Sequence, residues 1–233
     1  MPTYLFLACF GDNVQAAAGA EWAYEERGLS RVVILSNETM EYTRLLQGYF
    51  RTRFEELGGT VVETRTYQPD AIAALLATPL PDADFIYLSA GPTDAVDVSV
   101  LLRQSGVATP ILGGDGLDIG DAWNKIAEAR DVYFTTHAYL GAGHDTPAVT
   151  TFRSAFARAY PDKEPDAFTA LGYDAARLLF AAIEAAGTTD PAAVRSALAA
   201  TTDFVGVTGK ISFAEGSQVP LKSVTVIAVD KGR

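Results

Sequence analysis

One cysteine (Cys9), two histidines (His137 and His144), two methionines and two tryptophans are all that 233 residues contain of those types. A lone cysteine excludes an internal disulfide, and no Cys/His pair stands at metal-ligand spacing. Two histidines are too few to build a metal site without many acids, so no metal and no cofactor is expected. Long apolar runs are missing as well: no segment reaches the length of a transmembrane helix. Met1-Pro2-Thr3 lacks the basic start of a signal peptide, which taken literally would place the chain in the cytoplasm. Basic residues are scarce, 18 Lys and Arg against 29 Asp and Glu, for a net charge of −11. Such a chain repels a phosphate backbone and an anionic membrane surface, so no nucleic-acid partner is expected. Acidity by itself argues for solubility rather than for a cationic ligand.

What is present is alternation. Residues Arg31–Ser36, Asp84–Ser89, Thr109–Leu112 and Asp131–Thr136 read as buried strands, and Val61–Tyr67 as a strand nearer an edge. The apolar run Tyr4–Phe10 also reads as a strand, with Cys9 as a small buried hydrophobe. Helical spacing fills the intervals: Val14–Arg27, capped by Asp12 or Asn13, then Tyr42–Leu57, Ala71–Ala77 and Ala95–Gln104. Strand–helix alternation with short loops predicts an α/β fold, a doubly wound parallel sheet with helices on both faces. Past residue 145 the pattern changes. Three helices follow in a row, over roughly 147–160, 166–186 and 191–200, and the tail returns to strands at 205–213 and 223–229. The middle helix is apolar on nearly every side, which predicts deep packing, yet no strands of its own flank it.

The stretches CFGDNVQAAAGAEWAYEERG, MEYTRLLQGYF, FEELGGTVVETRTY, ADFIYLSA, LLRQSGVATPILGGDGL and FTALGYDAARLLFAAIEAAG occur in this order, and LKSVTVIAVDKG closes the series. In sequence and spacing they resemble the periplasmic substrate-binding proteins of ABC importers, of the branched-chain amino-acid (Leu/Ile/Val-binding) type. The resemblance runs nearly end to end, beginning at the first crossing between that family's two lobes. It implies the periplasmic-binding-protein type I fold, lacking the front of the first lobe and the signal peptide. Residues 1–145 and 204–233 are then the ligand-binding α/β lobe, and 146–203 is a helical segment belonging to the other, incomplete lobe. It also implies an extracytoplasmic location, a monomer, a membrane permease as partner, and a small-molecule ligand such as an amino acid. With part of the cleft absent, these 233 residues alone are expected to bind ligand weakly.

Ligands of open α/β sheets lie off the carboxyl ends of the strands. Asp115 stands there, just past Leu112, and the glycines around it at 113, 114 and 116 would let a backbone approach a ligand closely. An acid in such a place suits an ammonium group, and Tyr42 offers an aromatic face and a hydroxyl. The resemblance carries Tyr42 and Asp115 over as the residues that grip the amine end of an amino acid, and Ser89 and Gly91 with less specific matches. His137 after the fifth strand, Asp131–Thr136, is a further candidate. Each has a plainer alternative: an Asx turn for Asp115, core packing for Tyr42, ordinary turn residues for Ser89 and Gly91, a satisfied histidine for His137. Asp12 reads first as a helix cap, and Tyr173 and Asp174 as structural. The segment Gly91–Ala95 lacks the aromatic residue that some relatives place there, and the stretch after Tyr67 is shorter than usual.

Weaker patterns add little. Gly141–Thr146 begins like a dinucleotide fingerprint without its third glycine. Asp115, Asp118 and Asp121 do not match the spacing of a calcium loop, and Asn37-Glu38-Thr39 fits a glycosylation sequon. No nucleophile–base pair is apparent, so the chain is expected not to be an enzyme. A non-catalytic solute receptor is the leading reading. A ligand-sensing domain of a signalling or regulatory protein is the alternative, because the same fold serves both.

Overall fold

A computed structural model describes residues 2–141 and 143–229, without the side chains of Asp121, Asn124 and Lys125. Met1, Ala142 in the glycine-rich stretch and residues 230–233 of the expected lobe lie outside the described residues. The chain packs as two units. One is an α/β unit, Asp12–Thr136 with Val226–Arg233; the other, a helical unit, holds Met1–Gly11 and His137–Thr225. The expected spans differ from this division. Residues 2–11, 137–141, 143–145 and 204–224 pack with the helices rather than with the sheet.

The α/β unit is built on six strands in the order β2-β1-β3-β4-β5-β8. They are β1 (Arg31–Asn37), β2 (Thr60–Tyr67), β3 (Phe85–Ser89), β4 (Ile111–Gly113), β5 (Val132–Thr136) and β8 (Thr225–Val229). The pairs β1–β2, β1–β3, β3–β4 and β4–β5 are parallel. The inner strand β1 is buried at every residue after Arg31, which is why its sequence is a continuous apolar run. The edge strand β2 is only half-buried, as its alternation predicts.

Parity sorts the core. Val32, Ile34, Phe85 and Tyr87 face α1 (Asp12–Glu21) and α2 (Glu41–Glu56), while Val33, Leu35, Ile86 and Leu88 pack with α3 (Ala95–Gln104) on the opposite face. In α2 the stripe Leu46, Phe50, Phe54 recurs every four residues and is fully buried, with Phe50 stacked on Tyr87 at 3.6 Å between ring centroids. That helix stops before Gly58, whose φ of +99° favours glycine. The predicted helix at 71–77 is instead a 3-10 segment over Pro69–Leu76, kinked at Ala71.

The helical unit holds α4 (Pro147–Ala159), α5 (Ala167–Ala186) and α6 (Pro191–Ala199). Their starts are capped by side chains: Thr146 accepts from Val149 N, Asp166 from Thr169 N and Asp190 from Ala193 N. Two predictions are corrected here. Tyr4–Phe10 forms no strand. Its backbone is taken up by a distant loop instead: Leu7 N donates to Gln218 O at 2.9 Å, and Lys222 Nζ donates to Ala8 O at 2.9 Å. Cys9 is accordingly half-buried. The predicted strand at 205–213 is a short hairpin, β6 (Phe204–Gly206) against β7 (Gly209–Ile211). Asp174, fully buried on α5, holds its turn by accepting from Val207 N (2.8 Å), Thr208 N (2.8 Å) and Thr208 Oγ1 (2.7 Å). Nor is α5 packed on all sides: Phe168, Leu179 and Phe180 are exposed, Phe180 by 61%.

Candidate functional site

The carboxyl ends of β1, β3 and β4 meet the first turn of α2. Thr43 fastens that turn. Its hydroxyl donates to Asn37 O at 2.5 Å and to Met40 O at 2.9 Å, and its carbonyl accepts from Ser89 Oγ at 2.8 Å. With Thr43 held, Tyr42 is aimed across the strand ends. Its hydroxyl donates to Asp115 Oδ1 at 2.6 Å and accepts from Gly116 N at 3.2 Å. Burial, followed by the charge of Asp115, raises the Tyr42 pKa far above that of a free phenol. The hydroxyl therefore keeps its proton and remains a donor.

A third residue joins them. Gln15, on α1 and 1% exposed, donates from Nε2 to Asp115 Oδ1 at 3.1 Å and accepts at Oε1 from Asp115 N at 3.1 Å. The same oxygen accepts from Thr135 Oγ1 on β5 at 3.1 Å. Sequence reasoning missed Gln15, although a signal exists: it lies on one helix face with the buried Gly19 and Ala23, a polar side chain inside an apolar stripe. Two helices thus converge on Asp115, which is half-buried at the strand ends, with Thr135 of β5 held behind Gln15.

The glycines after β4 give room to the chain itself. A methyl group added at Gly116 would clash with the Ala90 carbonyl oxygen. At Gly114 it would lie 2.6 Å from Leu46 and 2.7 Å from the Tyr42 hydroxyl. The close approach is the chain's own: these glycines admit Tyr42 and Gln15 to Asp115.

Tyr42 and Asp115 are brought together. Ser89 lies beneath them, fully buried, with its hydroxyl turned to α2. Gly91 N donates to Asp94 Oδ1 at 3.0 Å. Asp94, itself buried, accepts from Asn37 Nδ2 at 3.1 Å and from the Tyr67 hydroxyl, so the point between β1 and β3 is closed by side chains. The sequon asparagine, Asn37, is buried within that network. His137 belongs to the helical unit, 5% exposed, stacked on Phe10 at 3.9 Å and edge-on to Phe168 at 6.0 Å. Among the described residues no group of three or more His, Cys, Asp or Glu is placed to hold a metal ion, and no helix is long and apolar enough to cross a membrane.

A donor-held carboxylate beside a protonated phenol, at the carboxyl edge of a parallel sheet, is suited to a small cationic head group. Comparison with known proteins bears on what that group belongs to. A family model described as periplasmic binding protein matches residues 2–233. A comparison with curated proteins finds no match. Among solved structures, a leucine-binding protein from Thermotoga maritima is 30% identical with a TM-score of 0.84, the match covering 99% of this chain and 66% of that one. A branched-chain amino-acid transporter substrate-binding protein from Streptococcus pneumoniae, in complex with isoleucine, is 26% identical with a TM-score of 0.84, covering 97% of this chain and 64% of that one. A solute-binding protein of an ABC transporter from R. palustris, in complex with benzoate, is 20% identical with a TM-score of 0.76, covering 98% and 63%. The last is a likeness of fold alone. This chain spans less than two thirds of the length of the proteins it resembles.

Proposed function

The chain belongs to the periplasmic binding protein family, and from that premise we propose that it is a non-catalytic solute receptor of an ABC importer, taking an amino acid or related small polar ligand. The observation that carries this reading is the 2.6 Å bond from the Tyr42 hydroxyl to Asp115 at the carboxyl edge of the sheet. Asp115 receives the ligand's ammonium group and Tyr42 borders it. Ser89 and Gly91, whose polar groups are turned to Thr43 and Asp94, act as supports for that edge. The solved relatives named with leucine and isoleucine support an aliphatic amino acid over other amines.

In this reading the receptor works outside the cytoplasm and hands its ligand to a membrane permease. Residues 146–203 belong to a second lobe, a reading supported by the exposed Phe168, Leu179 and Phe180 on α5. None of the relatives named above supports the alternative, a ligand-sensing domain of a regulatory protein.

An NMR titration tests the receptor reading, because it detects weak binding as well as tight. L-Leucine is expected to shift the backbone amides of Gly114, Asp115 and Gly116 in a saturable way, and its amine-free analogue 4-methylpentanoate is expected to leave them in place. Equal response to both compounds would contradict an ammonium site at Asp115.

A further inference from the structure

Gln15 is used at both ends of its amide. On one side Oε1 accepts from Asp115 N and from Thr135 Oγ1, each at 3.1 Å. A backbone N–H can only donate, so the atom facing it is the amide oxygen and the NH2 must point the other way. There Nε2 donates to Asp115 Oδ1 at 3.1 Å and to Asp12 Oδ1 at 3.2 Å. One side chain thus holds Asp115 by backbone and carboxylate together, and ties it to a second acid. Sharing one nitrogen places the two carboxylate oxygens within about 6 Å of each other. Like charges at that range repel unless donors hold them. Tyr87, fully buried on β3, registers both charges: burial raises its pKa, and Asp115 and then Asp12 raise it further.

The room for this arrangement is built in. A methyl group at Gly114 would sit 3.2 Å from Gln15 Oε1, so the glycine leaves space for the amide. Gln15 itself is only 1% exposed.

We propose that Gln15 is the positioning residue of this site, holding Asp12 and Asp115 as a charged pair so that an ammonium group meets two carboxylates rather than one. The proposal rests on reading Asp115 as the ammonium acceptor. It adds Asp12 to the site and makes Gln15 the determinant of preference for amine-bearing solutes.

The titratable groups around Gln15 are Asp12 on α1 and Asp115 after β4, which it bonds, and Tyr42 on α2 and Tyr87 on β3, which interact with Asp115. The full chain with labelled aspartate carboxyls is titrated by NMR as wild type, Gln15→Ala and Gln15→Glu. Removing the amide in Gln15→Ala is expected to raise the Asp115 midpoint by about one pH unit. Gln15→Glu keeps the shape but adds a third carboxyl, whose folded-state pKa is raised by its two neighbours. Its melting temperature should fall near pH 7 and recover as the pH drops toward about 5, where the new carboxyl takes up a proton and can donate again. A merely space-filling Gln15 would leave the Asp115 midpoint unmoved and make the Gln15→Glu loss the same at both pH values. Either result would overturn the proposal, and the second can be read even if Gln15→Ala fails to fold.

These readouts contain no ligand, so they stand apart from the receptor reading. The preference for L-leucine over 4-methylpentanoate is then compared in wild type and Gln15→Ala at neutral pH. A preference that shrinks tenfold supports the role of Gln15, and one that is unchanged overturns it. If the wild type itself shows no preference, the receptor reading falls while the titration results are unaffected.

Discussion

Two buried or half-buried carboxylates, Asp115 in the α/β unit and Asp174 in the helical unit, show how differently one residue type is employed. Asp174 has no exposed surface and spends itself on Val207 N, Thr208 N and Thr208 Oγ1, all in one turn. Asp115 is half-buried, and its carboxylate takes side-chain donors from two separate helices, Tyr42 on α2 and Gln15 on α1. An acid wrapped in backbone N–H groups fixes a turn. An acid held by a phenol and an amide at a strand edge ties two helices to the loop that carries it. The contrast is between a carboxylate used up by one turn and one shared by side chains of two separate helices.

The largest effect should come from the structural acid. Asp174→Ala leaves three donors of the hairpin turn without their acceptor and is expected to destabilise the helical unit by about 3–5 kcal/mol. Denaturant melts would check this, and the Asp115 region should respond to L-leucine as in the wild type if the two acids have separate duties. Ser89→Ala comes next. Its buried hydroxyl loses one bond to the Thr43 carbonyl, and a loss of about 1 kcal/mol is expected, read in the same melts, with little change in leucine preference.

A smaller effect sharpens the comparison through pH. Lys222 donates to Ala8 O and Thr208 Oγ1, and burial pulls its pKa from 10.5 down to about 8, opposed by the charge of Asp174. Between those values the unfolded chain holds the proton more than the folded one, so this group makes stability rise with pH from about 8 to 10.5. Below about 8 both states are protonated and the contribution is flat. Thermal melts of wild type against Lys222→Met should show that difference in slope, and parallel curves would remove Lys222 from the account.

Much of the α/β unit was legible because its physics is local. The strands β1 and β3 are buried on both faces and so read as unbroken apolar runs. Tyr4–Phe10 has the same apolar look, but its partners, Gln218 and Lys222, lie more than two hundred residues away, and no local pattern announces them. The inward turn of Ser89 was not anticipated, although Phe85, Tyr87 and Ser89 share one side of β3 and the first two pack toward α2. That Tyr42 and Asp115 lie at the carboxyl ends of the strands was legible from the strand pattern, while their hydrogen bond to each other was not. Gln15 could not be tied to Asp115, because a hundred positions separate them and only the folded sheet brings them together. The apolar character of α5 was legible too. Exposure of Phe180 was not, since periodicity reports which residues are apolar but not what covers them.

The most direct test of the central claim is the affinity of the chain for L-leucine in wild type and Asp115→Asn. The amide keeps the shape of the side chain and an oxygen to accept from Tyr42, and removes only the charge. The account predicts affinity at least about tenfold weaker for the variant, the order expected for losing a charge-assisted bond to an ammonium group. Equal affinity in the two proteins would contradict it.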